Sequence, residues 1–177
     1  VDIVFADALA TATTPVSGTD GANLSAANAS TTDLDGAQND VVGIPDDAGG
    51  ANDVYAGQSL AFDFVLTNLG NSTDTISLDV ANTDFPLGTT FNVVAADGVT
   101  PIIGDEGTVP GGTSTHVQII AKLPADAPVT AGPAGFDATV TATSQLDGTK
   151  TNTSTLLFDA ALLAPPVDLE NLDAGGA

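Results

Sequence analysis

From Gln58 onward, apolar residues return at every second position in one run after another, and this period of two commits the chain to β-structure. In SLAFDFVLTN, Leu60, Phe62, Phe64 and Leu66 share one face, with Asp63 and Thr67 on the other. TISLDV aligns Ile76, Leu78 and Val80, and TTFNVVAA aligns Phe91 and Val93. HVQIIAKL turns Val117 and Ile119 inward and His116, Gln118 and Lys122 outward. GFDATVTATS sets Phe136, Ala138, Val140 and Ala142 against Asp137, Thr139, Thr141 and Thr143. No segment of useful length carries the helical period.

Turn residues punctuate these runs. LGNSTD follows the first of them, with Gly70 and Asn71 as its breakers. Asp97-Gly98 leads into VTPII, and Asp147-Gly148 leads into TKTNTSTLLFDAAL, so two-residue hairpin turns are expected at both. Pro165-Pro166 stops the last strand. About 7–9 short strands, with turn signals every ~8–14 residues, describe an all-β, Ig-like antiparallel β-sandwich with an extended N-terminal strand. The chain divides into an N-terminal strand (1–14), an acidic Ala/Gly/Thr/Asp-rich connection (15–57), the sandwich (58–164) and an acidic tail (165–177). Within the connection only VVGI looks strand-like, and one helical turn is expected around Ala26. A connection this long tends to be functional or linker-like.

Charge then removes whole classes of function. Lys plus Arg number 2 against 23 Asp plus Glu, a formal net charge of −21. The two cations are Lys122 and Lys150, so nothing on this chain neutralises a phosphate backbone or an anionic lipid surface. An acidic surface suits high salt or divalent cations, which screen its self-repulsion. Cys is absent, which rules out disulfide and thiolate chemistry. No apolar run approaches the ~20 residues of a membrane-spanning helix. A first residue of Val1 in place of Met reads as a mature, exported chain whose leader has been removed.

AGQSLAFDFVLTNLGNSTDTISLDV, TVPGGTSTHVQIIAKLPADAP and FDATVTATSQLDGTKTNTST together resemble Ig-like conserved-repeat domains of prokaryotic cell-surface proteins. The matching positions are Thr67, Asn68, Gly70, Asn71 and Asp74, then Pro110 and Gly112, then Ala138 to Ser144, within residues 56–159. The resemblance implies a structural or adhesive role at the cell surface. Such domains usually stand in tandem, whereas this chain has one copy with extensions at both ends, more like an assembling subunit than a spacer.

Chemistry is sparse. His116 is the only histidine and stands on an outward strand face, without Cys or placeable partners. No G-x-S-x-G elbow occurs and there is no arginine to clamp an anionic substrate, so no enzyme and no catalytic residue are expected. DLDGAQND offers Asp33, Asp35 and Asp40 as hard oxygen ligands for Ca2+, with Asp46, Asp47 and Asp53 nearby. It departs from the EF-hand pattern at Ala37 and Ile44, so a solvated acidic loop stands beside the calcium reading, and no other cofactor is implied. Sequons at Asn23, Asn28, Asn71 and Asn152 are candidate glycan acceptors in an exported chain.

VDIVF remains. Val1, Ile3 and Phe5 alternate, with Leu9 behind them. The strand either forms an edge of its own sandwich or is donated to a neighbouring copy, where backbone pairing and alternate side chains hold it. Repeated head to tail, donation builds an open filament. The expectation is therefore a subunit of an extracellular filament or surface assembly, with other copies of itself as partners. The rival is a monomeric adhesion or calcium-dependent binding module, against which one tyrosine and 5% aromatic residues weigh.

Overall fold

The alternating runs become strands, and the polar face of each looks outward. The computed structural model describes the backbone of Ile3–Phe5, Ala12–Gly18, Gly21–Ala26 and Asp40–Ile44, and residues 53–164 apart from 96, 97, 99, 103–105, 131 and 133. Side chains are described within 53–164, Val65 aside. The N-terminal arm supplies β1 (Ile3–Phe5), β2 (Ala12–Gly18), β3 (Gly21–Ala26) and β4 (Asp40–Ile44). The body supplies β5 (Val54–Tyr55), β6 (Ser59–Asn68), β7 (Asp74–Asn82), β8 (Thr90–Ala95), β9 (Glu106–Val109), β10 (Thr113–Lys122), β11 (Phe136–Ser144), β12 (Thr151–Phe158) and β13 (Leu162–Leu163).

Two sheets form an all-β, Ig-like sandwich. One has the order β2-β3-β6-β10-β8, with β1 also on β6; the other has the order β4-β12-β11-β7-β9. A small parallel pair, β13-β5, is tied down where the Asp53 side chain accepts the Ala161 N–H at 3.1 Å. Between the sheets lie Leu60, Phe62, Phe64 and Leu66 from β6, Val117, Ile119 and Ala121 from β10, and Ile76 and Leu78 from β7. Ala138, Val140 and Ala142 of β11 and Leu156 and Phe158 of β12 complete the opposite wall. These are the inward sets that the alternation picks out, with Val80 and Phe91 packed at the margin.

Four expectations need correction. The Ala/Thr/Gly-rich connection, in which only VVGI looks strand-like, also forms the antiparallel pair β2-β3, while residues 58–164 hold eight described strands, β6 to β13, within the seven to nine expected. Ala26, the expected centre of a helical turn, is the last residue of β3. Small residues have no alternation to betray a strand. Pro15 is tolerated because β2 is an outer strand whose register shifts between Thr13 and Val16. The turn at Asp147-Gly148 is longer than two residues: the ladder ends at Thr143↔Thr151, and the Ser144 N–H still reaches the Lys150 carbonyl at 3.0 Å. There the Asp147 side chain accepts the Thr149 N–H and hydroxyl, which hold its carboxyl below the usual range. Asp97 lies outside the described residues, while Gly98 takes φ 74° and donates to the Ala95 carbonyl. The return along β8, however, is one bridge, Val94↔Pro101, and no full strand.

Candidate assembly edge

β6 is the central strand of its sheet, and its two edges differ. Toward β10 it pairs antiparallel from Ser59↔Lys122 to Asn68↔Thr113 without a break. On the other edge β3 lies parallel at Leu60–Phe62 and β1 lies antiparallel at Leu66–Asn68. β4 plays the matching part on the opposite sheet, parallel to β12 from Ser154↔Asp40 to Phe158↔Ile44. β1 also approaches β12 and β11, so it sits over the seam between the two sheets. The arm therefore adds strands to existing edges on this side of the sandwich.

The pole where β1 docks is built from hydrogen bonds. Asn68 is 0% exposed, and its amide donates to the carbonyls of Ser72 (2.9 Å) and Val109 (3.0 Å) while its side-chain oxygen accepts the Gly70 N–H (2.9 Å). Its backbone carbonyl takes the Gly112 N–H at 2.8 Å. One residue thereby fixes the end of β6, the turn after it and the end of β9. Gly111 lets the two loops touch: a Cβ there would lie 2.6 Å from the Asn71 carbonyl carbon and the Ser72 nitrogen. Asp74, buried at the start of β7, accepts the Ser144 hydroxyl (2.5 Å) and the Leu146 N–H (3.1 Å). Ser144 Oγ in turn accepts the Asp147 N–H at 3.0 Å.

The far pole is closed by an apolar plug. Phe85, in the link between β7 and β8, is held through both its N–H and its carbonyl by the Asn82 side chain. Its ring meets Phe62 and Phe91 edge-on, with centroids 6.4 and 5.5 Å away, and Phe136 at 5.8 Å. Phe136 stacks on Phe158 across the β11–β12 pair.

The other candidate residues scatter. Val1 and Leu9 lie outside the described residues, and Ile3 and Phe5 lie in β1, opposite Asn68 and Leu66. Asp33 and Asp35 lie outside the described residues, Asp40 opens β4, and Asp53 is engaged with β13. Among the described residues no three His, Asp or Glu side chains gather as a metal site. His116 is exposed on β10, as expected. Diagonally across from it on β6, opposite Gln118, is Asp63, whose carboxyl is pushed up by burial against the opposing pull of its Gln118 hydrogen bond and of His116. Asn71 is exposed in the β6–β7 turn, and Asn23 lies in β3. Asn28 lies outside the described residues. Asn152 is 2% exposed within β12. The importance of Asn68 and Asp74 is visible in sequence only as motif positions, and Gly111 carries no local signal beyond its neighbour Gly112. No helix is long and apolar enough to cross a membrane among the described residues.

No family model matches the chain, and no curated protein matches it. Among solved structures, it is similar to a family 123 glycoside hydrolase from Clostridium perfringens, at 14% identity and a TM-score of 0.46. That similarity covers 65% of this chain and 23% of the hydrolase, so the chain spans about a quarter of it. It is similar to the PapD-like domain 7 of human CEP192, at 12% identity and a TM-score of 0.39, over 71% of this chain and 82% of that one. It is also similar to a Salmonella enterica structure of the SafA pilin with the SafB chaperone, at 13% identity and a TM-score of 0.33. The last covers 61% of this chain and 50% of that one.

Proposed function

We propose that this chain is a structural subunit of an extracellular filament or surface assembly, in which copies join by pairing a donated N-terminal strand with the sheet of a neighbour. The observation that carries the reading is the arm itself: β1 attaches through backbone pairing at a sheet edge, over three residues. A strand added to an edge exchanges between identical copies with no new chemistry, because the neighbour offers the same N–H and C=O groups. The alternation of Val1, Ile3 and Phe5, with Leu9 behind, suits a donor strand. The resemblance to surface-protein repeat domains supports the location.

In this reading the net charge of −21 keeps separate copies apart in dilute salt. Divalent cations, with Asp33, Asp35 and Asp40 among the available ligands, draw neighbours together. The test is negative-stain electron microscopy of the native protein at low salt, at high salt and with calcium, beside a chain lacking residues 1–10. Regular filaments from the full chain and none from the truncated one are expected. Filaments from the truncated chain would end the donor-strand reading. Scattered monomers throughout would favour a monomeric adhesion or binding module.

A further inference from the structure

We infer that the acceptor for the donated strand is the Leu66–Asn68 edge of β6, and that the isolated chain keeps this edge capped with its own β1, so that exchange of β1 alone admits a copy to the assembly. The inference rests on the strand-donation reading above and adds the place, the register and the control.

Of the arm strands that lie on the body, β1 is the least held. β3 is braced by its antiparallel partner β2, and β4 follows β12 over five residues. β1 has three paired residues, Ile3↔Asn68, Val4↔Thr67 and Phe5↔Leu66. So short a pairing opens far more readily than the rest of the sheet. The acceptor does not depend on its occupant. Leu66–Asn68 is paired to Thr113–Thr115 of β10 on its other edge, and Asn68 is fixed by its hydrogen bonds to the β6–β7 turn and the end of β9. When β1 leaves, a straight edge with a fixed end remains.

The pairing lost in cis is regained in trans, so the balance turns on concentration and charge. Attachment to the same chain gives the internal strand a high effective concentration and favours the capped monomer. Crowding of copies and screening of their repulsion favour exchange; the Debye length falls from ~10 Å at 0.1 M salt to ~3 Å at 1 M. Once β1 has left its own sheet, donor and acceptor are different surfaces of one copy, and joining them is heterologous and open-ended.

Because the chain contains no cysteine, an engineered pair reports the exchange directly. Directly opposed residues of an antiparallel pair have Cα atoms ~4.5–5.5 Å apart, within reach of a disulfide. The Val4→Cys/Thr67→Cys chain, oxidised while dilute, is expected to close an internal disulfide, to stay monomeric at high salt, and to assemble once reduced. Single variants Val4→Cys and Thr67→Cys, mixed, assembled and then oxidised, are expected to give covalent dimers on a non-reducing gel. As a measurement independent of cysteine, a peptide of residues 1–10 added to the truncated chain is expected to protect the Leu66–Asn68 amides from hydrogen exchange.

A locked chain that assembles as fast as the reduced one overturns the inference, as do mixed assemblies without covalent dimers or a peptide that protects some other edge. Where the locked chain assembles, the donor-strand reading falls with it; in the other two cases filaments still form and that reading survives. If the wild-type chain forms nothing larger than a monomer under any of these conditions, both readings fall together.

Discussion

Along one edge β6 pairs with β10 through ten residues in unbroken register, whereas along the other it holds β3 at Leu60–Phe62 and β1 at Leu66–Asn68. The same strand is thus core scaffold on one side and patchwork on the other. On the β10 side each paired residue is supported by its neighbours and by the alternating core of both strands, so the pairing opens only with the whole sheet. On the patchwork side two short strands run in opposite directions and are joined to one another only through the arm. The lesson is that the cost of opening an edge depends on the length of continuous register and not on the strand that owns the edge.

The largest test of that contrast is Phe62→Ala. Phe62 is fully buried and touches the Phe85 plug, so the loss is expected to be about 3–5 kcal/mol by chemical denaturation. A loss below about 1 kcal/mol would mean that the β6–β10 side is not the scaffold claimed here. Next comes Asn68→Ala, which leaves the Gly70 N–H and the Ser72 and Val109 carbonyls without their partner and should cost roughly 2–4 kcal/mol. Gly111→Ala attacks the same pole by forcing two backbones apart and is expected to cost about 1–3 kcal/mol.

Among the described residues, deleting residues 1–10 removes the three-residue pairing of β1 and its approach to β11 and β12, so the monomer should lose about 1–3 kcal/mol while assembly is lost altogether. A fully unfolded truncated chain, read by circular dichroism, would place β1 on the scaffold side of the comparison. The smallest effect is expected from Asp63→Asn. Burial raises the Asp63 carboxyl in the folded state, so the fold binds that proton more tightly than the unfolded chain does. Its favourable contribution is complete below the ordinary carboxylate range and disappears as pH rises through the raised value. The variant should therefore melt slightly higher than wild type at pH 7, by less than about 1 kcal/mol once water screens a half-exposed group. That advantage should vanish near pH 3, and an equal gain at both pH values would remove the carboxyl as its cause.

The legibility of this fold in its sequence follows apolar content. Phe136↔Phe158 and Ala138↔Leu156 pair across β11 and β12, and the β11 set is marked in advance by alternation with Asp and Thr. β2 and β3 pass unnoticed because Ala, Thr, Ser and Gly carry too little apolar contrast to show a face. The assembly edge is half legible. VDIVF announces a strand, but its partner lies more than sixty residues along the chain, and nothing local names Leu66–Asn68. Asn68 and Asp74 are recognisable as motif positions, yet their work, tying the turns of separate strands together, exists only when β9 and the end of β11 arrive beside them.

By itself, then, the sequence determined an all-β sandwich, the inward face of each long strand, and an acidic surface hostile to nucleic acid, because alternation and net charge are local and additive. The tertiary structure alone decided which edges the arm covers, which pole is locked by hydrogen bonds and which by phenylalanines, and that β6 carries β1 and β3 on one edge in opposite directions. The edges are chosen by backbone groups that every residue carries, and the poles by side chains that meet only once distant strands are folded together, so neither choice is written in any local stretch of the sequence.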